Sequence, residues 1–130
     1  MYTKILFMTF FAACSAKTFA QAPSAAAGQT LFTANCTACH TVGKGRLVGP
    51  DLKGVNTKYP EARLLKWIKS SQTLVKSGEP TAVALFKEFN NIPMPDFTQL
   101  SDAQIKSILA FIKRESTALP ITTTSTKTGK

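Results

Sequence analysis

An all-α domain built from three to five short helices is what this sequence predicts, on three observations. No segment sustains the period-two alternation of a half-buried strand, whereas Ile105, Ile108, Leu109 and Ile112 recur at the three, four and seven spacing of one helix face. Glycines and prolines fall between the apolar stretches, notably at Gly54, Pro60, Gly78, Pro80, Pro93 and Pro95, where they mark stops and starts. With 130 residues, 44% of them hydrophobic, the chain has room for one compact core and not comfortably for two. Helices this short would cover little apolar surface by themselves, so they are expected to pack around something else.

The elements follow in order. Residues 1–20 have the layout of an export signal: Lys4 gives a positive start, residues 5–13 a short apolar run, and small residues lead to a cut placed after Ala20. That run is too short to span a bilayer and no second candidate follows it, so a soluble, periplasmic or otherwise exported mature protein is expected. A second processing signal overlaps the first. Phe11-Ala12-Ala13-Cys14 loosely resembles a lipobox, with Phe where Leu is usual, and processing there would leave Cys14 as a lipid tether to a membrane face.

Residues 21–27 read as a short flexible leader. Residues 28–35 place Leu31 and Phe32 on one side of a short helix that runs into Cys36. Residues 41–58 are rich in glycine and lack a period, and a loop of that length in a compact domain usually has a function. Pro60 suits the first position of a helix carrying Leu64, Leu65 and Ile68, with Gly78 near its end. A further helix starts near Pro80 and carries Val83, Leu85, Phe86 and Phe89. Pro93 and Pro95 break the pattern over residues 90–98, and Ser101 with Gln104 then forms a capping box at the head of the last helix. After Glu115 the composition turns to Thr, Ser, Lys and Gly, so the domain proper is expected over residues 28–115 and a disordered tail over 116–130.

The chemistry concentrates in Cys36-Thr37-Ala38-Cys39-His40, the CxxCH pattern of c-type haem attachment. Two thiols one turn apart can add across the two vinyl groups of a porphyrin, and the adjacent imidazole then lies under the iron. Other uses of such a pair fit less well. A structural disulfide would not need His40, and a thioredoxin-type CxxC expects a preceding strand, where a helix is predicted. Zinc needs two further ligands, yet His40 is the only His and no third Cys survives removal of residues 1–20. With no second imidazole, the sixth iron position falls to Met, Lys, the N-terminus, water or nothing. Met94 is the only Met left after processing, and Pro93 and Pro95 hold its loop out of a helix, so it is the expected axial ligand; a lone Met is otherwise a gap-filling core residue.

On these residues the chain resembles a class I cytochrome c, a monohaem c-type cytochrome, over roughly residues 28–113. Gly28 and Phe32 fit the family's first helix, Phe111 the aromatic residue that meets it, and Gly49-Pro50 with Leu52 and Gly54 the loop after the haem-binding segment. The resemblance implies a small cytochrome c fold wrapped around one haem c attached through Cys36 and Cys39, with His40 and Met94 on the iron. It also implies that the Pro50 carbonyl accepts a hydrogen bond from the second ring nitrogen of His40. Tyr59 and Trp67 either reach haem propionates or simply pack, packing being the expectation.

A filled coordination sphere leaves no open site for substrate, so the expected role is that of an electron carrier and not an enzyme. The sequence carries a formal charge of +9, and removing residues 1–20 takes away Lys4 and Lys17 and no acid. Its lysines are scattered and no nucleic-acid motif accompanies them, so acidic docking surfaces on redox partners of a respiratory chain fit the charge better than nucleic acid does. A monomer is expected. The alternative role is a haem-bearing subunit of a dehydrogenase or reductase complex; a third is a ligand sensor or peroxidase in which Met94 leaves the iron.

Overall fold

The computed structural model describes residues 22–118, so the expected export signal, the lipobox-like stretch and the end of the expected tail lie outside the described residues. The described chain is all-α, with five helices: α1 (Ala25–Asn35), α2 (Val55–Lys58), α3 (Glu61–Lys76), α4 (Pro80–Glu88) and α5 (Asp102–Thr117). Among the described residues no helix is long and apolar enough to cross a membrane.

The fold is organised by the crossing of α1 and α5, the most extensive helix pairing among the described residues. A Cβ built on Gly28 would sit 1.8 Å from the Ser107 carbonyl oxygen, so the backbones meet where only glycine fits. One turn on, Phe32 meets Phe111 with ring centroids 5.1 Å apart and planes tilted by 47°. Around this crossing Leu64 from α3, Leu100, and Ile105, Ile108, Leu109 and Ile112 from α5 close the core.

Helix ends explain the departures from the sequence expectations. α1 begins at Ala25, inside the expected leader, because the Ser24 hydroxyl accepts from Ala27 N at 3.2 Å and so caps the helix earlier. Ser24 N also donates to Ser107 Oγ at 3.2 Å, fastening that cap to α5. Pro60 is the residue before α3 and not its first position. The glycine-rich loop contains the short α2. The capping box of α5 is formed as expected, with Ser101 N donating to Gln104 Oε1 at 2.8 Å and Gln104 N to Ser101 Oγ at 3.2 Å. That helix runs through Thr117, so residues 116 and 117, placed in the tail from composition, are helical: Ser116 Oγ accepts from Gly54 N at 3.0 Å and donates to Ile112 O at 2.7 Å.

Two features set up the last loop. α3 is broken at Ser70, whose φ of −151° and ψ of 55° are not helical. After α4, Asn90 and Asn91 both adopt φ of 57°, in the left-handed region that Asn tolerates better than most residues, and these two steps turn the chain toward Met94.

Candidate functional site

The Cys pair is positioned by the way α1 ends. Cys36 N donates to Phe32 O at 2.8 Å, and Cys39 N and His40 N both donate to Cys36 O, at 3.1 and 2.9 Å, so the backbone closes into one tight turn directly after the helix. Both thiols are free and partly buried. Burial, and then the nearby Cys39 thiol, push Cys36 up to about 11, so its sulfur stays protonated at neutral pH.

His40 is fixed by the loop that follows. Its Nδ1 lies 2.9 Å from the Pro50 carbonyl oxygen. A carbonyl only accepts, so Nδ1 carries the hydrogen and Nε2 keeps a free lone pair for a metal. Gly49 packs closely against the same ring. A Cβ there would be 2.5 Å from His40 Cε1 and 2.9 Å from Nδ1, while Gly49 N donates to Cys39 O at 2.7 Å.

The sequence reading missed the residue that shapes this loop. The Asp51 carboxylate accepts from Thr41 Oγ1 at 2.9 Å and from the backbone N–H groups of Gly43, Gly45 and Lys53 at 2.9, 2.6 and 2.7 Å. Desolvation works against its charge, but the hydrogen bonds from Gly43, Lys53, Thr41 and Gly45 together outweigh it and hold the carboxyl well below the usual carboxylate range. Its bond to Lys53 N, two residues on, is an Asx turn, the one local signal that could have singled it out.

Cys36, Cys39, His40 and Pro50 are thus brought together on the α1 side, whereas Met94 is fastened to α3. Its carbonyl accepts from Ser71 Oγ at 2.7 Å and from Gln72 Nε2 at 3.2 Å. Trp67 and Tyr59 share the Arg63 guanidinium, which lies 5.5 and 5.3 Å from their rings and pairs with Glu79 at 2.8 Å. Arg63 Nε is buried without a partner.

Whether these residues suit an iron porphyrin can be judged from their own state. Two free thiols lie a turn apart, an imidazole is held with Nε2 available, and Leu31, Val42, Leu52, Leu65, Ile68 and Phe97 are apolar yet only partly buried against the core. A large flat apolar group would cover that surface, so the donor set and its surroundings fit. Among the described residues no cluster of three or more His, Cys, Asp or Glu side chains is placed to hold a metal ion, which is the set a structural zinc would need.

Comparison with known proteins gives a consistent result. The family model described as Cytochrome c matches residues 25–116. The chain is 34% identical over 91 residues to the cytochrome c6 of Leptolyngbya boryana, covering 68% of this chain and 88% of that one. It is 29% identical over 85 residues to the cytochrome c6 of Cyanidium caldarium, spanning 65% of each. Among solved structures, cytochrome c from Rhodothermus marinus superposes with a TM-score of 0.64 at 26% identity, over 71% of this chain and 76% of that one. A cytochrome c domain from Pseudomonas putida gives 0.60 at 29% identity, over 68% and 87%.

Proposed function

Because the chain belongs to the cytochrome c family and carries one haem c attached through Cys36 and Cys39, we propose that it is an exported carrier of single electrons between redox proteins of a respiratory chain. The observation that carries this reading is the 2.9 Å contact from His40 Nδ1 to the Pro50 carbonyl, which leaves the Nε2 lone pair free for coordination on the residue that follows Cys39. When bound, the haem supplies an iron that gains or loses one electron. Met94 is the chain's candidate for the opposite side, and ligation by two side chains leaves no position for a substrate.

The residues around the His40 loop fit a docking role. Leu47, Val48 and Ile92 are large apolar side chains that stay 50%, 42% and 47% exposed. Lys44 and Arg46 precede the first two in sequence, and Arg46 ties this loop to the end of α4 by donating to Glu88 O at 2.8 Å and lying 4.0 Å over the Phe89 ring. Exposed Lys53 and Lys87 flank the same two segments. Apolar contact surrounded by positive charge suits an acidic partner, with the charge speeding encounter more than it tightens the complex.

Electron-transfer rates from the haem-loaded protein to an acidic redox protein, measured by stopped flow across a salt series, should fall steeply as ionic strength rises. A flat profile removes the charge-steered docking. A haem-stained denaturing gel separates this from the attachment itself: Cys36→Ala and Cys39→Ala should each weaken the stain seen with the native chain, and the double variant should lose it.

A further inference from the structure

The break in α3 at Ser70 has no proline or glycine to account for it, its neighbours being Lys69 and Ser71. What it does have is a set of partners in the Met94 segment. A helix interrupted in this way leaves backbone groups without their usual partners, and each must be satisfied elsewhere. Gln72 N donates to Asp96 Oδ1 at 3.0 Å, and the Ile68 carbonyl accepts from Phe97 N at 3.1 Å. Ser71 sits between these two bonds. It is polar yet only 2% exposed, and its hydroxyl donates to the Met94 carbonyl at 2.7 Å, with Asp96 Oδ1 also within 3.3 Å. A serine inside a helix ordinarily bonds back to its own preceding turn. Here the hydroxyl reaches 23 residues along the chain instead.

The Met94 segment is complementary to this arrangement. Pro93 and Pro95 have no N–H to give, and what Ser71 and Gln72 engage beside them are acceptors, the Met94 carbonyl and the Asp96 carboxylate. The prolines limit how the loop can bend, but stiffness alone does not attach it to anything.

We propose that Ser71, Gln72 and Asp96 form a clamp that holds the Met94 backbone against the break in α3, and that they are positioning residues for the thioether as sixth ligand. The proposal rests on the reading of Met94 as that ligand. A neutral thioether is a weak donor, so its hold on the iron depends on how often the loop presents it correctly. Tethering raises that effective concentration, and releasing the clamp lowers it.

The test is an imidazole titration of the haem-loaded full chain, followed in the visible spectrum, including the sulfur-to-iron charge-transfer band of the oxidised form. Imidazole nitrogen replaces sulfur at the iron and no electron moves. Met94→Ala sets the affinity of an unprotected sixth position. Ser71→Ala and Asp96→Ala should each bind imidazole about five- to tenfold more tightly than the native chain, the equivalent of one buried hydrogen bond. Asp96→Asn keeps an acceptor oxygen for Gln72 N–H and should match the native affinity. Amide hydrogen exchange at Gln72 should quicken in Asp96→Ala and not in Asp96→Asn. A lowered unfolding temperature with native imidazole affinity in Ser71→Ala and Asp96→Ala would mean a merely structural role and overturn the clamp. If Met94→Ala itself leaves affinity and band unchanged, the ligand reading fails, which is a different outcome. Should Ser71→Ala not accumulate as folded protein, the comparison of Asp96→Ala with Asp96→Asn decides.

Discussion

At the scale of single residues, the need for glycine at position 49 is spatial and not conformational. Its φ is not among the positive values found at Gly43, Gly45, Gly54 and Gly78, but a Cβ there would overlap the His40 ring at 2.5 Å. Gly49→Ala should therefore cost about 1–3 kcal/mol in chemical denaturation, the range for overpacking, and should weaken the His40 to Pro50 bond, visible as a shift of the ring N–H resonance. Gly45→Ala is the contrasting case: nothing lies within 4 Å of its Cβ, and only its φ of 89° opposes the change, so it should leave that resonance in place. The five residues from Cys36 to His40 were legible in the sequence because they are contiguous and their chemistry is read from spacing alone. Asp51, Ser71 and Asp96 were not, because each acts through partners that only the folded chain assembles, at Thr41, Gly43 and Gly45 for the first and across the α3 break for the others.

Among the elements, the decisive contact is that of α1 with α5. The atoms that a Gly28 side chain would meet are Ser107 O and C and Ile108 N, all backbone, so no side-chain rotation can relieve the overlap and the two helices must part. Gly28→Ala should cost about 3 kcal/mol, at the upper end of overpacking, measured by urea unfolding. The last helix was legible because its signals are local: a capping box and an apolar stripe within twelve residues. The start of α1 was misjudged because Ser24 draws support from Ser107, 83 residues away, which composition cannot reveal. The break in α3 was missed for the same reason. No proline or glycine marks it, and what offsets the lost helical bonds is supplied by the Met94 segment.

Across the whole molecule, three carboxylates tie stability to acidity in one direction. Asp51 is held low by its loop hydrogen bonds, Glu79 by its bond to Arg63, and Asp102 by its bond to Lys69. A group whose folded value is depressed contributes stability that is present above its unfolded value and lost as pH falls through the folded one. The ordinary values are 3.8 for Asp and 4.5 for Glu, so stability should hold from neutral pH downward and decline below about pH 4. Asp51→Asn should blunt that decline, as followed by helical circular dichroism across an acid titration; an unchanged curve would show that Asp51 is not a principal source of it. The α1 crossing has one more consequence, for the order of events during synthesis. Because Gly28 needs Ser107 beside it, the core cannot close until the final helix has been delivered, and long loop closure of this kind is slow. Cys36 and Cys39 therefore precede in the chain the segment that completes their surroundings, leaving an interval in which both sulfurs remain open to ligation chemistry. A chain halted before Asp102 should be alkylated at those sulfurs as fast as an unfolded peptide.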